Sequence, residues 1–242
     1  LGWQGAYGLV AVLSLASAAW VWQALPRDVR PPRFSLASWG TALRMPALML
    51  CVAVTLLCAA GQFVVFAYFA PIFKSSLGAS VHELSALFMF FGAFGLLGNV
   101  LMSRYIDRLG APRGVMIAMG AIALSLLVWP LGVTLVLAAL ATVPWALGCV
   151  SANSAQQARL VSLGPPLAGG TVALNTSAMY AGQAIGTAVG GWMISHQGMQ
   201  GLHFAGLALL LAAMAVSAWA AQVGRRNAAP AVAAGVVAKR SA

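Results

Sequence analysis

Amide, hydroxyl, thiol and aromatic side chains recur every three or four residues in three apolar segments of this 242-residue chain. Residues at this spacing lie on one face of an α-helix, so each series predicts a polar stripe. The stripes are Cys51, Thr55, Cys58, Gln62, Phe66 and Phe69; Thr142, Trp145, Cys149, Asn153 and Gln156; and Thr176, Tyr180, Gln183 and Thr187.

Polar stripes on apolar helices have two interpretations. Polar groups are costly in lipid, so the stripes must face one another or water. They either bridge neighbouring helices, each bond contributing roughly 0.6 to 2 kcal/mol, or line a polar cavity between helices. Three aligned stripes favour the cavity, and its predicted substrate-pathway residues are Gln62, Phe66, Trp145, Asn153, Tyr180 and Gln183.

Residues that could carry out catalysis or bind a metal are scarce. The chain has three acidic residues and three histidines, and the histidines (His82, His196 and His203) flank the apolar segments. No nucleophile with a base, paired carboxylates or metal-ligand spacing is recognisable in the sequence. We therefore predict neither an enzyme nor a metal site, and no cofactor.

A second face of the segment around residue 182 carries small residues. Gly182, Gly186 and Gly190 repeat at intervals of four, in register with Asn175 and Ala178. Small residues at this spacing let another helix approach closely. These three glycines are therefore predicted to be a helix-packing face.

The composition is that of an integral membrane protein. Hydrophobic residues make up 62% of the chain and charged residues 7%, and the mean hydropathy is +0.92, whereas about a quarter of a soluble domain is charged. We predict an all-α fold with seven transmembrane helices, in segments free of Asp, Glu, Lys and Arg. The segments are residues 3–25, 47–69, 84–102, 115–130, 133–158, 168–195 and 202–222.

The basic residues predict the orientation in the membrane. They fall in clusters between apolar segments, which argues for lipid headgroups and topology over nucleic acid. Of the 13 Lys and Arg residues, only Lys74 falls on one side. By the positive-inside rule the N-terminus lies outside and the C-terminus in the cytoplasm. The other side holds Arg27, Arg30, Arg33, Arg44, Arg104, Arg108, Arg113, Arg159, Arg225, Arg226, Lys239 and Arg240.

Two stretches resemble the major facilitator superfamily. "GNVLMSRYIDRLGAPRG" (98–114) is similar to the family's Gly-x-x-x-Asp-Arg-x-Gly-Arg-Lys cytoplasmic loop, with Asp107, Arg108 and Gly110 in matching positions. Ser103 stands where the family often has Gly, and the second basic position is displaced to Arg113. "ALNTSAMYAGQAIGTAVGGWMIS" (173–195) is similar to the penultimate helix of the drug- and sugar-efflux branch.

The resemblance implies a domain organisation. The chain resembles the C-terminal half of such a carrier with the helix before it, so the seven helices would be the sixth to twelfth of twelve. Residues 1–25 would end an N-terminal six-helix bundle that is otherwise missing, and residues 26–46 would form a basic cytoplasmic linker. Residues 47–222 would form the six-helix C-terminal bundle, and a disordered tail is predicted over residues 223–242.

The resemblance also implies a function. We expect a fragment of a secondary transporter of the plasma (inner) membrane that exports small amphipathic compounds or sugars by alternating access. Expected partners are the substrate, a proton, the missing bundle and lipids; a proton-binding carboxylate would lie in the missing part. The predicted gating loop comprises Asp107, Arg108, Gly110 and Arg104. The alternative is a seven-helix membrane receptor without transport activity, which the topology also allows.

Overall fold

The computed structural model describes residues 3–24 and 36–240, and their regular secondary structure is entirely helical. Each long helix contains most of one predicted segment, because the apolar runs favour membrane-spanning helices. Short 3₁₀ turns cover Trp129–Leu131 and Pro165–Leu167. The α-helices are α1 (Trp3–Ala24), α2 (Leu36–Leu43), α3 (Pro46–Phe66), α4 (Phe69–Leu77), α5 (Val81–Leu109), α6 (Ala111–Val128), α7 (Leu135–Leu163), α8 (Ala168–Gln197) and α9 (Leu202–Arg240).

Six of the seven predicted segments form helices long and apolar enough to cross a membrane. The sixth segment forms α8, which has 30 residues and is long enough to span a bilayer. It is not among the six, because Gly, Ser, Thr, Asn and Gln lower its hydropathy. A count of seven spans is therefore not established by length and composition.

The chain divides into two units, with α1 in the first and α2 to α9 in the second. The division falls in the basic connection predicted over residues 26–46. Residues 26–35 of that connection lie outside the described residues, whereas residues 36–43 form the short helix α2.

Local sequence signals fix several helix ends. Pro46 opens α3, where its missing N–H costs nothing. Ser80 and Glu83 form a reciprocal capping box at the start of α5, with the Ser80 N–H donating to Glu83 Oε2 at 2.8 Å. Gly110 has φ +78° and joins α5 directly to α6, so the predicted loop is a single-residue turn.

Two central helices organise the second unit. Helix α3 packs against α8 and α9, and α7 packs against α5 and α6, while α6 also contacts α9. Large side chains in the core, including Trp145, Phe69, Met119, Ile122 and Leu126, are under 2% exposed. Because α3 and α7 are both covered by neighbours, their polar stripes lie inside the bundle.

The tail predicted over residues 223–242 follows the last apolar segment of the chain. Helix α9 continues to Arg240, well beyond the apolar segment that ends near residue 222. Alanine is the strongest helix former, and it recurs throughout this tail. Helix propensity therefore extends α9 where no apolar segment requires it.

Candidate substrate cavity

A cavity of about 270 Å³ lies among helices α3, α5, α6, α7 and α8. Helices α3 and α7 contribute most of its wall, from Val54 to Phe66 and from Trp145 to Gln156. Helix α6 adds Val115 and Met119. The volume is close to the lower end of the roughly 300–1,000 Å³ typical of small-molecule sites.

The structure brings five of the six predicted pathway residues to this cavity: Gln62, Phe66, Trp145, Asn153 and Gln183. Tyr180 does not line it, and its side chain is 61% exposed. The glycine face of α8 packs on α3, which turns the Tyr180 position away from the cavity. Gln156, which belongs to the predicted stripe of α7 but not to the predicted pathway set, lines the cavity as well.

Aromatic rings form the apolar end of the cavity. The ring centroid of Phe66 lies 6.2 Å from that of Trp145 and 5.4 Å from that of Phe91. Phe91 also lies 6.2 Å from Trp145, in an edge-on arrangement. Contacts of this kind orient planar groups, so this end of the cavity suits a flat apolar ligand.

The Trp145 indole is held by a polar contact across the bundle. Its Nε1–H donates to Oε1 of Gln62 at 3.0 Å. The Nε2 group of Gln62 in turn donates to the Cys58 carbonyl at 3.3 Å and approaches the Cys58 sulfur at 3.4 Å. The Gln62 amide is therefore occupied by protein groups, and it fixes the indole that forms part of the wall.

Pro144 interrupts the hydrogen-bond ladder of α7 immediately before Trp145. Ser125 of α6 bridges the interruption: its hydroxyl donates to the Ala141 carbonyl at 2.6 Å and accepts from the Trp145 N–H at 2.8 Å. These two backbone groups would bond to each other in a regular α-helix. An inserted side chain is a recognised cause of a helix bend at proline, and Ser125 itself is fully buried.

A second polar cluster lies about two to three turns along α7 from Trp145. Gln156 donates from Nε2 to the Cys51 carbonyl at 2.5 Å, and Thr55 donates to Oδ1 of Asn175 at 2.5 Å. The Nδ2 group of Asn175 donates to Oδ1 of Asn153 at 3.4 Å. These bonds connect α3, α7 and α8, so the bridging interpretation holds for part of the α3 and α7 stripes, whereas Asn175 belongs to the glycine face of α8.

The cavity lining carries no Asp, Glu, Lys, Arg or His among the described residues. Its polar side chains are those of Thr, Asn, Gln and Cys, and the remainder are apolar or aromatic. Burying an unpaired charged ligand in such a site would be costly. The lining therefore favours uncharged ligands with a limited number of hydrogen-bonding groups.

Arg159 differs from its prediction as a residue of a cytoplasmic connection. It lies inside α7, is 3% exposed, and donates from Nη1 to the Ser217 hydroxyl at 2.9 Å and from Nη2 to the Ser217 carbonyl at 3.1 Å. Its long side chain reaches α9, which the sequence pattern could not show. Ser125 and Ser217 thus each bind α7 from a helix with few polar residues.

The glycine face of α8 lies against the backbone of α3. A Cβ atom at Gly186 would collide with the Ala60 carbonyl, and one at Gly182 with the Leu56 carbonyl. At Gly190 it would approach the Val64 carbonyl to 2.6 Å. Backbone contact this close requires glycine, so this face sets the spacing between α3 and α8.

The turn between α5 and α6 exposes its charged residues. Asp107, Arg104 and Arg108 lie in the last turns of α5, and all three side chains are exposed. Asp107 has no ion pair or hydrogen bond within the part of the chain that the structure describes. These side chains are therefore accessible to another helix or to lipid headgroups.

In the described ranges no group of three or more His, Cys, Asp or Glu residues could hold a metal ion.

Comparison with known proteins identifies the family to which this helical bundle belongs. The family model of the Major Facilitator Superfamily matches residues 1–172 and 53–240. The chain belongs to the Major Facilitator Superfamily. It is thus an integral membrane protein of that family.

Several curated relatives match most of the chain. The protein is 28% identical over 222 residues to the transcription regulatory protein OpdE of Pseudomonas aeruginosa, covering 88% of this chain and 54% of the relative. It is 23% identical over 214 residues to a probable sugar efflux transporter of Pasteurella multocida, covering 85% and 51%.

The purine ribonucleoside efflux pump NepI of Salmonella enteritidis is 24% identical over 221 residues, covering 90% of this chain and 55% of the relative. The chain therefore spans about half the length of the curated relatives it matches.

Proposed function

We propose that this chain is part of a secondary transporter that exports small uncharged amphipathic compounds or sugars by alternating access. The observation that carries the proposal is an uncharged cavity, walled by the polar stripes of α3 and α7, inside a bundle of the Major Facilitator Superfamily. Transporters of this superfamily bind near the bilayer midplane, between two bundles that rock around the site.

The substrate class follows from the cavity lining and the relatives. The lining combines aromatic rings with side-chain amides and has no charged group among the described residues. Two relatives are named for the efflux of sugars and of purine ribonucleosides. An uncharged molecule with one apolar face and a limited number of hydrogen-bonding groups matches both observations.

The remaining half of the transporter is proposed to be a second bundle. The chain spans about half the length of its relatives. We therefore assign its seven predicted spans to positions six to twelve of a twelve-helix fold. The long basic connection over residues 26–46 would join the two bundles on the cytoplasmic side. The N-terminus would then lie outside and the C-terminus in the cytoplasm of a plasma membrane.

The turn between α5 and α6 is proposed to be a gating latch. The exposed Asp107 and Arg108 precede Gly110, whose φ of +78° lets the two helices meet without a loop. An acidic side chain exposed at the end of a helix can pair with a basic group of a facing helix in one state and release it in the other. Arg104 and lipid headgroups would modulate that exchange.

Any coupled proton is proposed to bind outside this cavity. Its lining offers no carboxylate or imidazole among the described residues, and proton-coupled carriers use ionisable groups inside the membrane. The carboxylate would then belong to the missing bundle.

The experiment is efflux from membrane vesicles that contain the product of the complete gene. Vesicles are loaded with radiolabelled purine ribonucleoside or sugar, and an empty-vector membrane gives the background. The proposal expects saturable release above that background. Saturable binding without release of any loaded compound would favour the receptor alternative and contradict the transporter.

A further inference from the structure

Three sulfur-containing side chains line the cavity from three different helices. They are Cys58 of α3, Cys149 of α7 and Met179 of α8. Both cysteines are free thiols. None of the three residues is completely buried, since Cys58 is 7% exposed and the other two are half-buried. Each of them therefore has surface that a small ligand in the cavity can reach.

Two hydrogen bonds fix how α3 and α7 are aligned. Trp145 of α7 donates to Gln62 of α3. Eleven residues further along α7, Gln156 donates to the carbonyl of Cys51, which lies eleven residues earlier on α3. The two helices therefore run antiparallel, and a step toward the C-terminus of α7 corresponds to an equal step toward the N-terminus of α3.

The two thiols are matched in this register. Cys149 lies four residues after Trp145, and Cys58 lies four residues before Gln62, which is about one helical turn in each case. Residues at this spacing share a helix face. Cys58 and Cys149 therefore face each other across the cavity, about one turn from the bond between Gln62 and Trp145.

Met179 reaches the same level of the bundle from α8. This helix runs antiparallel to α7, because its glycine face follows α3 in the same direction. Asn175 of α8 donates to Asn153 of α7 at 3.4 Å, and Met179 lies four residues after Asn175. Because Cys149 lies four residues before Asn153, Met179 and Cys149 are opposite each other.

The hydrogen bonds of the two thiols give them different roles. Cys149 donates its S–H to the Ala146 carbonyl at 3.3 Å, which leaves the lone pairs of its sulfur free. The Cys58 sulfur instead accepts from Nε2 of Gln62 at 3.4 Å. Outer hydrogen bonds of this kind orient metal ligands. Cys58 therefore suits an anionic sulfur ligand, and Cys149 suits a neutral one.

A site made only of sulfur donors selects soft cations. Thiolate and thioether ligands favour Cu(I), and Ag(I) has the same charge and a filled d shell. Ca²⁺ and Mg²⁺ need oxygen ligands, and Zn²⁺ is normally held by four ligands. The lining has no Asp, Glu or His among the described residues, so the soft monovalent cations fit this site best.

We propose that Cys58, Cys149 and Met179 form a binding site for a soft monovalent cation of the Cu(I) class. The inference goes beyond the proposed function, because it gives the cavity a second kind of ligand. The Cys58 thiol releases its proton and its sulfur bonds to the cation, while Cys149 and Met179 donate lone pairs. One positive charge enters as one proton leaves, so no unpaired charge is buried in the cavity.

The test is titration of the purified product of the complete gene with Ag(I) in a chloride-free detergent buffer, because silver needs no reductant. Cys51→Ser is the matched control for Cys58→Ser, since Cys51 is on the same helix, is completely buried and does not line the cavity. We expect Cys58→Ser to lose one equivalent of tightly bound Ag(I) and Cys51→Ser to retain it. Unchanged binding in Cys58→Ser, or the same loss in Cys51→Ser, would overturn the proposal.

Alkylation of the wild-type protein tests the site without changing a residue, so it decides the proposal even if Cys58→Ser fails to fold. Iodoacetamide is a small thiol reagent, and peptide mass spectrometry measures its reaction at Cys149. We expect saturating Ag(I) to suppress this reaction and the same concentration of Zn(II) to leave it unchanged. Three results would overturn the site: reaction that silver does not reduce, equal protection by zinc, or no reaction of Cys149 in the folded protein without metal.

Binding and transport separate the inference from the proposed function. Silver that binds with the expected variant pattern but leaves purine ribonucleoside efflux unchanged would contradict a substrate pathway through the cavity and leave the sulfur site standing. Efflux by a protein whose cavity thiols bind no silver would support the transporter and overturn the sulfur site.

Discussion

Ser125 and Ser217 are among the few polar side chains of the apolar helices α6 and α9, and both bind α7. Ser125 replaces the ladder bond that Pro144 disrupts, and Ser217 accepts the buried Arg159 guanidinium. The sequence indicates that Pro144 bends α7, but spacing along one helix cannot show which neighbour repairs the break. The Ser125 hydroxyl thus holds the backbone of Trp145 in the cavity wall, and Ser217 connects α9 to α7.

Replacing Ser125 with alanine should lower stability, because the Trp145 N–H and the Ala141 carbonyl both lose a buried partner. Each lost partner costs about 1–3 kcal/mol, so we expect a clear decrease in melting temperature. Ser177→Ala is the control, since Ser177 is exposed and bonds only within α8. A melting temperature of Ser125→Ala equal to that of the control would show that the bridge contributes nothing.

Replacing Gln183 with alanine should change selectivity, because its amide is a free polar group of the cavity. Loss of one substrate hydrogen bond should raise KM about five- to tenfold for a purine ribonucleoside. Gln197→Ala tests the same substitution at an exposed site of α8. Identical KM values for all tested compounds in Gln183→Ala would remove Gln183 from the pathway.

At the scale of elements, α8 shows how the partner helix decides where each face of a helix lies. Its sequence offers a glycine face and a polar stripe. The glycine face packs on α3, which leaves Gln183 at the cavity but leaves Tyr180 exposed. Periodicity identifies both faces, but only the partner helix decides which part of the stripe is inside.

Close packing of α8 on α3 predicts opposite effects of two glycine substitutions. Gly186→Ala should destabilise the protein by about 1–3 kcal/mol, because its Cβ meets the Ala60 backbone. Gly92→Ala has open space around its Cβ and should be neutral or stabilising by up to about 1 kcal/mol. Thermal unfolding in detergent measures both, and equal melting temperatures would contradict the packing account.

The turn between α5 and α6 predicts a kinetic effect for Asp107→Asn. If Asp107 is a latch, its loss should lower the maximal efflux rate several-fold with little change in KM, because the cavity is untouched. Arg113→Gln is the control, since Arg113 is interpreted as a topology signal in α6. An altered KM with an unchanged maximal rate would contradict the gating role.

At the scale of the molecule, the features that depend on local sequence were predictable. Apolar runs gave the helix positions, and the stripes of α3 and α7 identified Gln62, Phe66, Trp145 and Asn153 as neighbours of one cavity. Features that depend on long-range contacts were not predictable from the sequence. Arg159 was interpreted as a residue of a cytoplasmic connection, although it is buried and bonds to Ser217, 58 residues away on α9.

The same distinction between local and long-range features applies to Gln156 at the cavity. The stripe of α7 contains Gln156, but its role depends on the Cys51 carbonyl, which is 105 residues away. A backbone acceptor carries no sequence signal, so only the packed structure distinguishes an occupied amide from an unsatisfied one. The division of the α3 and α7 stripes into bridging and free groups therefore required the tertiary structure.

The central claim is that substrate crosses the membrane through the cavity between α3 and α7, and efflux after filling the cavity tests it most directly. Ala152 lines the cavity and is 7% exposed, whereas Ala212 is exposed on α9. At matched amounts of folded protein in vesicles, Ala152→Phe should reduce purine ribonucleoside efflux to background, and Ala212→Phe should leave it unchanged. Wild-type efflux by Ala152→Phe would contradict the account.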